Sequence, residues 1–174
     1  ASLTLNIPLD LNLPLYSAKL STVGAGAGGQ GATIDGGTHS WKLLYSSSVQ
    51  QTALWQGIMP SYWNGSRLFL DIDSITSSAT INQDTDDIVL SAQIMRLAPR
   101  GVNLNTDSYR VAFSSQIVVQ GTPGFGDRST IDLTDFDGLL AGESFKLKLD
   151  RLTADANDVY INKFEIIGLR LRDK

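Results

Sequence analysis

Tyr62-Trp63-Asn64-Gly65-Ser66-Arg67-Leu68-Phe69-Leu70-Asp71-Ile72-Asp73, together with the run Ile88 to Leu97, decides the fold class. In the first piece Leu68, Leu70 and Ile72 alternate with Phe69, Asp71 and Asp73. In the second, Ile88, Leu90, Ala92, Ile94 and Arg96 fall on one face, and Val89, Ser91, Gln93, Met95 and Leu97 on the other. Successive side chains of a strand point to opposite faces, so both runs read as half-buried antiparallel strands, expected to pair as a hairpin across the polar loop Ser74 to Asp87. A hairpin cannot bury its own apolar face, and the remaining runs read as strands recruited to cover it.

Working outward, His39 to Tyr45, Thr52 to Gln56, Asp107 to Gln120, Ser129 to Leu133, Phe145 to Asp150 and Val159 to Arg172 are further extended segments. Phe145, Leu147 and Leu149 alternate with Lys146, Lys148 and Asp150, which separates a core face from a solvent face. The break at Ile166-Ile167-Gly168 predicts a bulge. Thr122 to Asp127 reads as a loop, and Thr134 to Leu140 is the one place predicted to hold a helical turn. Without βαβ spacing, the expectation is all-β: an antiparallel β-sandwich of jelly-roll type with an extended N-terminal arm.

Leu3, Leu5, Ile7, Leu9, Leu11, Leu13 and Leu15 recur at strict period 2 and form that arm. Pro8 and Pro14 lack the N–H that a central strand donates, so the arm belongs at a sheet edge or across another surface. The burial of its leucines does not outweigh the entropy of ordering its backbone, so it needs a surface: its own sandwich or a neighbouring subunit. The expected division is arm 1–22, glycine-rich linker 23–37 and sandwich 38–174. Gly24-x-Gly26-x-x-Gly29 in the linker matches the dinucleotide fingerprint in spacing only, since no helix pattern follows.

The chain has 174 residues, a net charge of −4 and no cysteine. That length suits one domain with a sizeable core. The charge opposes nucleic-acid binding, which rests on neutralising phosphates with Lys and Arg. The missing thiols remove disulfides, thiolate nucleophiles and thiolate metal sites. Neither a signal peptide nor a membrane-spanning helix is expected, and no membrane partner.

His39 is the only histidine, so a nucleophilic triad has no base elsewhere. Asp132, Asp135 and Asp137 are the best of three acidic clusters as hard oxygen ligands for Ca2+, although Asp also favours turns for its own hydrogen bonds. No cofactor is expected. A glycosidase needs two carboxylates across one cleft, and Asp71 and Asp73 have no identifiable facing partner, so an enzyme is not expected. Trp55, Tyr62 and Trp63 lie close enough in sequence to build a sugar-stacking platform, or else to close the end of a core.

Met59-Pro60-Ser61-Tyr62-Trp63-Asn64-Gly65 entering a strand, the strand ending Ile94-Met95-Arg96-Leu97, and Leu140 to Arg151 followed by an Asp-containing turn and Ile161 to Leu171 carry a resemblance. Across roughly residues 52–172 the chain resembles small jelly-roll virion proteins of tailed bacteriophages, of the capsid cement or decoration type. The resemblance implies a non-enzymatic, homotrimeric structural protein on the capsid surface whose partner is the major capsid protein. On that expectation Leu3 to Leu15 of the arm make the partner contacts, and binding only the assembled lattice stabilises it. The alternatives are a carbohydrate-binding β-sandwich module, with or without Ca2+, and a tail or fibre accessory protein.

Overall fold

The computed structural model describes residues 7–21, 33–35, 42–76, 86–97, 107–119 and 121–174. They form two antiparallel sheets packed face to face as a jelly-roll sandwich. In chain order the strands are β1 (Asp10–Asn12), β2 (Lys19–Ser21), β3 (Thr33–Asp35), β4 (Lys42–Tyr45), β5 (Gln51–Ile58) and β6 (Leu68–Ile75). They continue with β7 (Asp87–Leu97), β8 (Phe113–Val118), β9 (Gly126–Leu133), β10 (Ser144–Arg151) and β11 (Phe164–Arg172). The first sheet runs β3-β4-β11-β6-β9, with β1 also on β11, and the second runs β2-β5-β10-β7-β8.

The alternation read from the sequence is the alternation that fills the core. Leu68, Leu70 and Ile72 of β6 point inward against Leu147 and Leu149 of β10 and Leu90, Ala92 and Ile94 of β7, all in one buried cluster. Tyr45 crosses between the sheets and donates its hydroxyl to the Leu149 carbonyl at 2.8 Å. Burial pushes its phenol well above the ordinary value, with Asp150 adding to the effect, so it stays a donor. Gly57 faces inward beneath Phe145, where a Cβ would come within 2.9 Å of the ring.

Four expectations are corrected. The runs 68–73 and 88–97 are not a hairpin: β6 pairs with β9 and β11, and β7 pairs with β8 and β10 in the opposite sheet. Both apolar faces are covered by crossing between layers, which local alternation cannot distinguish from pairing within one. The segment 134–140 is not helical. Asp137 (φ 62°) and Gly138 (φ 60°) turn through the left-handed region instead. Within 107–120 only Phe113–Val118 is a strand, and within 159–172 only Phe164–Arg172. Residues 33–35 of the expected linker form β3 on β4, while the rest of that linker, except for 33–35, lies outside the described residues. The expected bulge is present, as a register shift between Ile166 and Gly168.

The N-terminal segment lies on its own sandwich and joins both sheets. Leu9, Leu13 and Leu15 are buried in the core and Leu11 packs against it, whereas Ile7 is exposed. Leu3 and Leu5 lie outside the described residues. β1 pairs with the end of β11, and the Leu13 N–H continues the pairing to the Leu169 carbonyl at 2.9 Å. Pro14 has no N–H to extend it, so the chain leaves the first sheet there. A single 3-10 turn at Leu15–Ser17 carries it to β2, at the edge of the second sheet on β5. The buried arm leucines are therefore core residues rather than free partner contacts.

Two ends of the sandwich are pinned by ion pairs. Arg151 is fully buried and grips Asp158 through Nε and Nη2, while its remaining donors reach the carbonyls of Tyr160 and Asn162. At the other end Arg96 makes a two-pronged pair with Glu143.

Truncating Leu13 to Ala is expected to lower unfolding stability by about 2–5 kcal/mol, as for other buried leucines. Urea denaturation at several protein concentrations checks it. A midpoint independent of concentration fits a leucine in its own core, and a midpoint that rises with concentration would assign the arm to another subunit.

Candidate ligand-binding face

The inner faces are closed by packing, so among the described strand residues the outward side chains of each sheet are the ones open to a ligand. On the second sheet the register places Lys19 opposite Leu54, Leu54 opposite Lys148, and Lys148 opposite Gln93. One step along, Gln56, Lys146 and Met95 form the next row. Thr52, Asp150 and Ser91 form the row on the other side.

These outward positions are not a flat solvated surface. Thr52, Ser91 and Asp150 are each no more than 3% exposed although they point away from the core. The floor is therefore a recessed polar layer in which Thr52, Asp150, Lys148 and Gln93 are bonded to one another, as burial favours. Thr52 donates its hydroxyl to Asp150, and Lys148 holds the same carboxylate at 3.0 Å. Lys148 also donates to the Gln93 amide oxygen at 3.3 Å, and the Gln93 amide nitrogen donates to the Arg110 carbonyl at 2.9 Å.

That last bond, with the Arg110 N–H on the Ile94 carbonyl at 3.2 Å, keeps the chain entering β8 alongside β7. Tyr109 is half-buried there, with the Lys148 ammonium 6.0 Å from its ring centroid. Burial raises the Tyr109 phenol, and the Asp150 charge raises it further, so the ring is neutral across the physiological range. Between Tyr109, Gln56, Lys146, Leu54 and Lys19 the surface dips into a recess of about 240 Å³, whose lining also includes Ser17 and the buried Trp55. It combines one aromatic wall, an amide and two ammonium groups, a mixture suited to a ligand with hydroxyls and an apolar ring face.

The first sheet offers a different surface. Asp71 is 3% exposed and receives Arg170 at 2.9 Å, Arg172 at 2.8 Å and the Thr130 hydroxyl at 2.8 Å. Arg67 and Arg172 both lie over the Phe69 ring, at 5.2 and 4.8 Å. A shallow recess of about 380 Å³ lies nearby, between Asp73, Ser74, Gly126, Asp127, Arg128 and Ile167. It contains no aromatic side chain, and Asp73 and Arg128 are already paired at 2.6 Å. With no aromatic wall and its one guanidinium already spent on Asp73, it is the weaker candidate.

The sequence-derived sites are placed as follows. Trp55 is buried, and its indole N–H is spent on the Pro14 carbonyl at 3.0 Å. Trp63 is buried edge-on to Phe136 at 5.4 Å, and Tyr62 alone of the three is exposed. Of the two readings open to these aromatics, both indoles take the core-closing one, and Trp55 does so beneath the lining of the recess beside Tyr109. Asp132 pairs with Arg67, Asp135 accepts the Asp137 N–H at 3.0 Å, and Asp137 receives Arg110 and the Arg96 N–H. These three carboxylates do not converge, and no group of metal-ligating side chains occurs among the described residues.

Tyr109, Lys19, Gln56 and Gln93 were not legible as site residues. The alternation of Lys146, Lys148 and Asp150 against the core positions was the available signal, but it marks any outward face. No protein-family model matches this chain, and no curated protein matches it. Its fold is similar to solved carbohydrate-binding modules.

The CBM35 from Cellvibrio japonicus Abf62 has TM-score 0.53 and 16% identity over 93% of this chain and 91% of its own. A xylan-binding module, CBM15, has TM-score 0.54 and 8% identity over 95% and 96%. The CBM22-1-CBM22-2 tandem domain from Paenibacillus barcinonensis Xyn10C has TM-score 0.50 and 11% identity; this chain spans 97% of itself and 50% of the tandem. Likeness at these identities concerns the fold.

A pH dependence follows from Asp71. Burial works to raise its carboxyl, but the hydrogen bonds from Arg172, Arg170 and Thr130 prevail and hold it below the ordinary 3.8. A carboxylate with a lowered folded value contributes stability that is complete above the unfolded value and is lost as pH falls through the folded one. The stability gap between the native chain and Asp71→Asn is expected to be widest above about pH 5 and to shrink as the pH falls below about 4. Urea midpoints from pH 2.5 to 7 measure it.

Proposed function

We propose that this chain is a non-catalytic glycan-binding β-sandwich whose ligand lies on the outer face of the second sheet. The observation that carries the reading is the recessed, internally bonded polar floor of Thr52, Asp150, Lys148 and Gln93, with the Tyr109 ring beside it. Sugars present hydroxyl rims and weakly apolar ring faces. A pre-bonded amide and ammonium layer with one aromatic wall can meet both without reorganising, which is where affinity for small ligands is usually lost. The likeness of the fold to solved carbohydrate-binding modules supports the same reading.

The recess does not present the pair of free carboxylates that glycoside hydrolysis uses. Asp150 is held by Lys148 and Thr52 and serves as structure in this reading. The binding reading thus moves from an exposed indole platform to a face the sequence presented only as solvated.

The virion reading drew on an arm that needed a second surface. Residues 9–15 have that surface on their own sandwich, so the observation no longer favours a trimer over a monomer. Light scattering separates the two. A monomer that retains glycan through the Tyr109 face fits the module, and a trimer that holds a capsid lattice and no glycan fits the cement protein.

Tyr109→Ala is expected to weaken glycan binding on the order of tenfold while the urea midpoint stays close to that of the native chain. A glycan array followed by titration calorimetry on the best ligand checks it. Undiminished binding by the variant would remove the site from this face, and an empty array would remove the function.

A further inference from the structure

Most described cations of this chain are matched with carboxylates. Arg67, Arg96, Arg110, Arg128, Lys148 and Arg151 each hold a carboxylate, as do Arg170, Arg172 and Lys42. Among the described residues, four lysines have no such partner: Lys19, Lys146, Lys163 and Lys174. Lys163 is exposed in the loop before β11 and Lys174 is the C-terminal residue. Lys19 and Lys146 both border the recess beside Tyr109. In a chain of net charge −4, two unmatched ammonium groups on one small recess are a local reversal of sign.

The register fixes their spacing. Lys19 on β2 lies opposite Leu54 of β5, and Lys146 on β10 lies opposite Gln56, two residues further along β5. Two strand spacings across and two residues along separate their Cα atoms by roughly 12 Å. Two flexible four-carbon stems spanning that distance bring both ammonium groups to one small anion placed between them. Among the described residues the floor holds one carboxylate, Asp150, which is already bonded to Lys148 and Thr52. The other outward acid of this sheet, Asp87, lies at the far end of β7, bonded to Gln116.

We infer that the ligand is an acidic glycan, its sugar carboxylate held between Lys19 and Lys146 while Gln56 and the Tyr109 ring engage the rest of the residue. This deepens the glycan-binding reading and rests on it. Carboxylate on ammonium is a charge-assisted hydrogen bond, stronger than the neutral contacts a hydroxymethyl group at the same carbon would make. Selectivity therefore comes from the acid group, and the ring contact contributes to any sugar.

The test is affinity electrophoresis and titration calorimetry of the full chain against polygalacturonate, alginate and glucuronoxylan, each beside its carboxyl-reduced counterpart. Chondroitin sulfate and its desulfated form distinguish a sulfate ester from a carboxylate as the anion. At least one uronate polymer is expected to bind roughly tenfold or more tightly than its reduced form, with affinity falling as salt rises. Lys19→Gln and Lys146→Gln are each expected to lose that preference, with unchanged urea midpoints, the acidic polymer losing roughly tenfold more affinity than its reduced counterpart.

Equal binding of acidic and reduced polymers, insensitive to both variants, overturns the acidic-glycan inference and leaves glycan binding standing. A preference that survives both variants, or one that follows sulfate alone, also overturns it. No binding to any of these polymers or to a neutral glycan array overturns both readings.

Discussion

The course of the N-terminal segment depends on one carbonyl. Pro14 ends the pairing of the first edge because it has no N–H, and its own oxygen then receives the Trp55 indole from the opposite sheet at 3.0 Å. Ser17 closes on the same oxygen through its backbone N–H at 3.1 Å and its hydroxyl at 2.8 Å. With Leu13 and Leu15 buried on either side, the chain is carried across the end of the sandwich and set down as β2 beside β5. That placement puts Lys19 on the rim of the recess. A core indole, a proline and two leucines thus determine where a surface ammonium stands.

The second sheet shows how a sandwich makes a site without interrupting its core. Its inward positions are apolar except at the ends, where Arg151 and Arg96 are locked to Asp158 and Glu143. Its outward positions are polar yet recessed, and burial obliges them to satisfy one another before any ligand arrives. Asp150, Lys148, Thr52 and Gln93 do so, which fixes the floor. The groups left over, Lys19, Lys146 and Gln56, border the recess. The first sheet follows the opposite course: Asp71 collects two guanidinium groups and a hydroxyl, Asp73 takes Arg128, and that face is spent internally.

Much of this was legible in the chain. Leu68, Leu70 and Ile72, like Phe145, Leu147 and Leu149, announce their inward faces because a strand with one buried side cannot avoid period 2. The Ile166-Ile167-Gly168 bulge was legible because an extra residue breaks that period. The pairing of β6 and β7 was misread, since alternation says that a strand is half-buried and not which neighbour lies beside it. Trp55 and Trp63 were left undecided between surface and core because an indole serves a core and a sugar platform equally well.

By itself the sequence determined that this is an all-β chain without disulfides, with an N-terminal ribbon that its prolines keep out of a central strand. Those properties follow from composition and from local geometry, which act over a few residues. Tertiary structure alone decided that β6 and β7 lie in opposite layers, that the ribbon covers its own core, and that Tyr109, Lys19, Gln56 and Lys146 border one recess. These residues are brought together by strand order and register across the second sheet. Such contacts depend on which loops cross between layers, and no stretch of neighbouring residues encodes that.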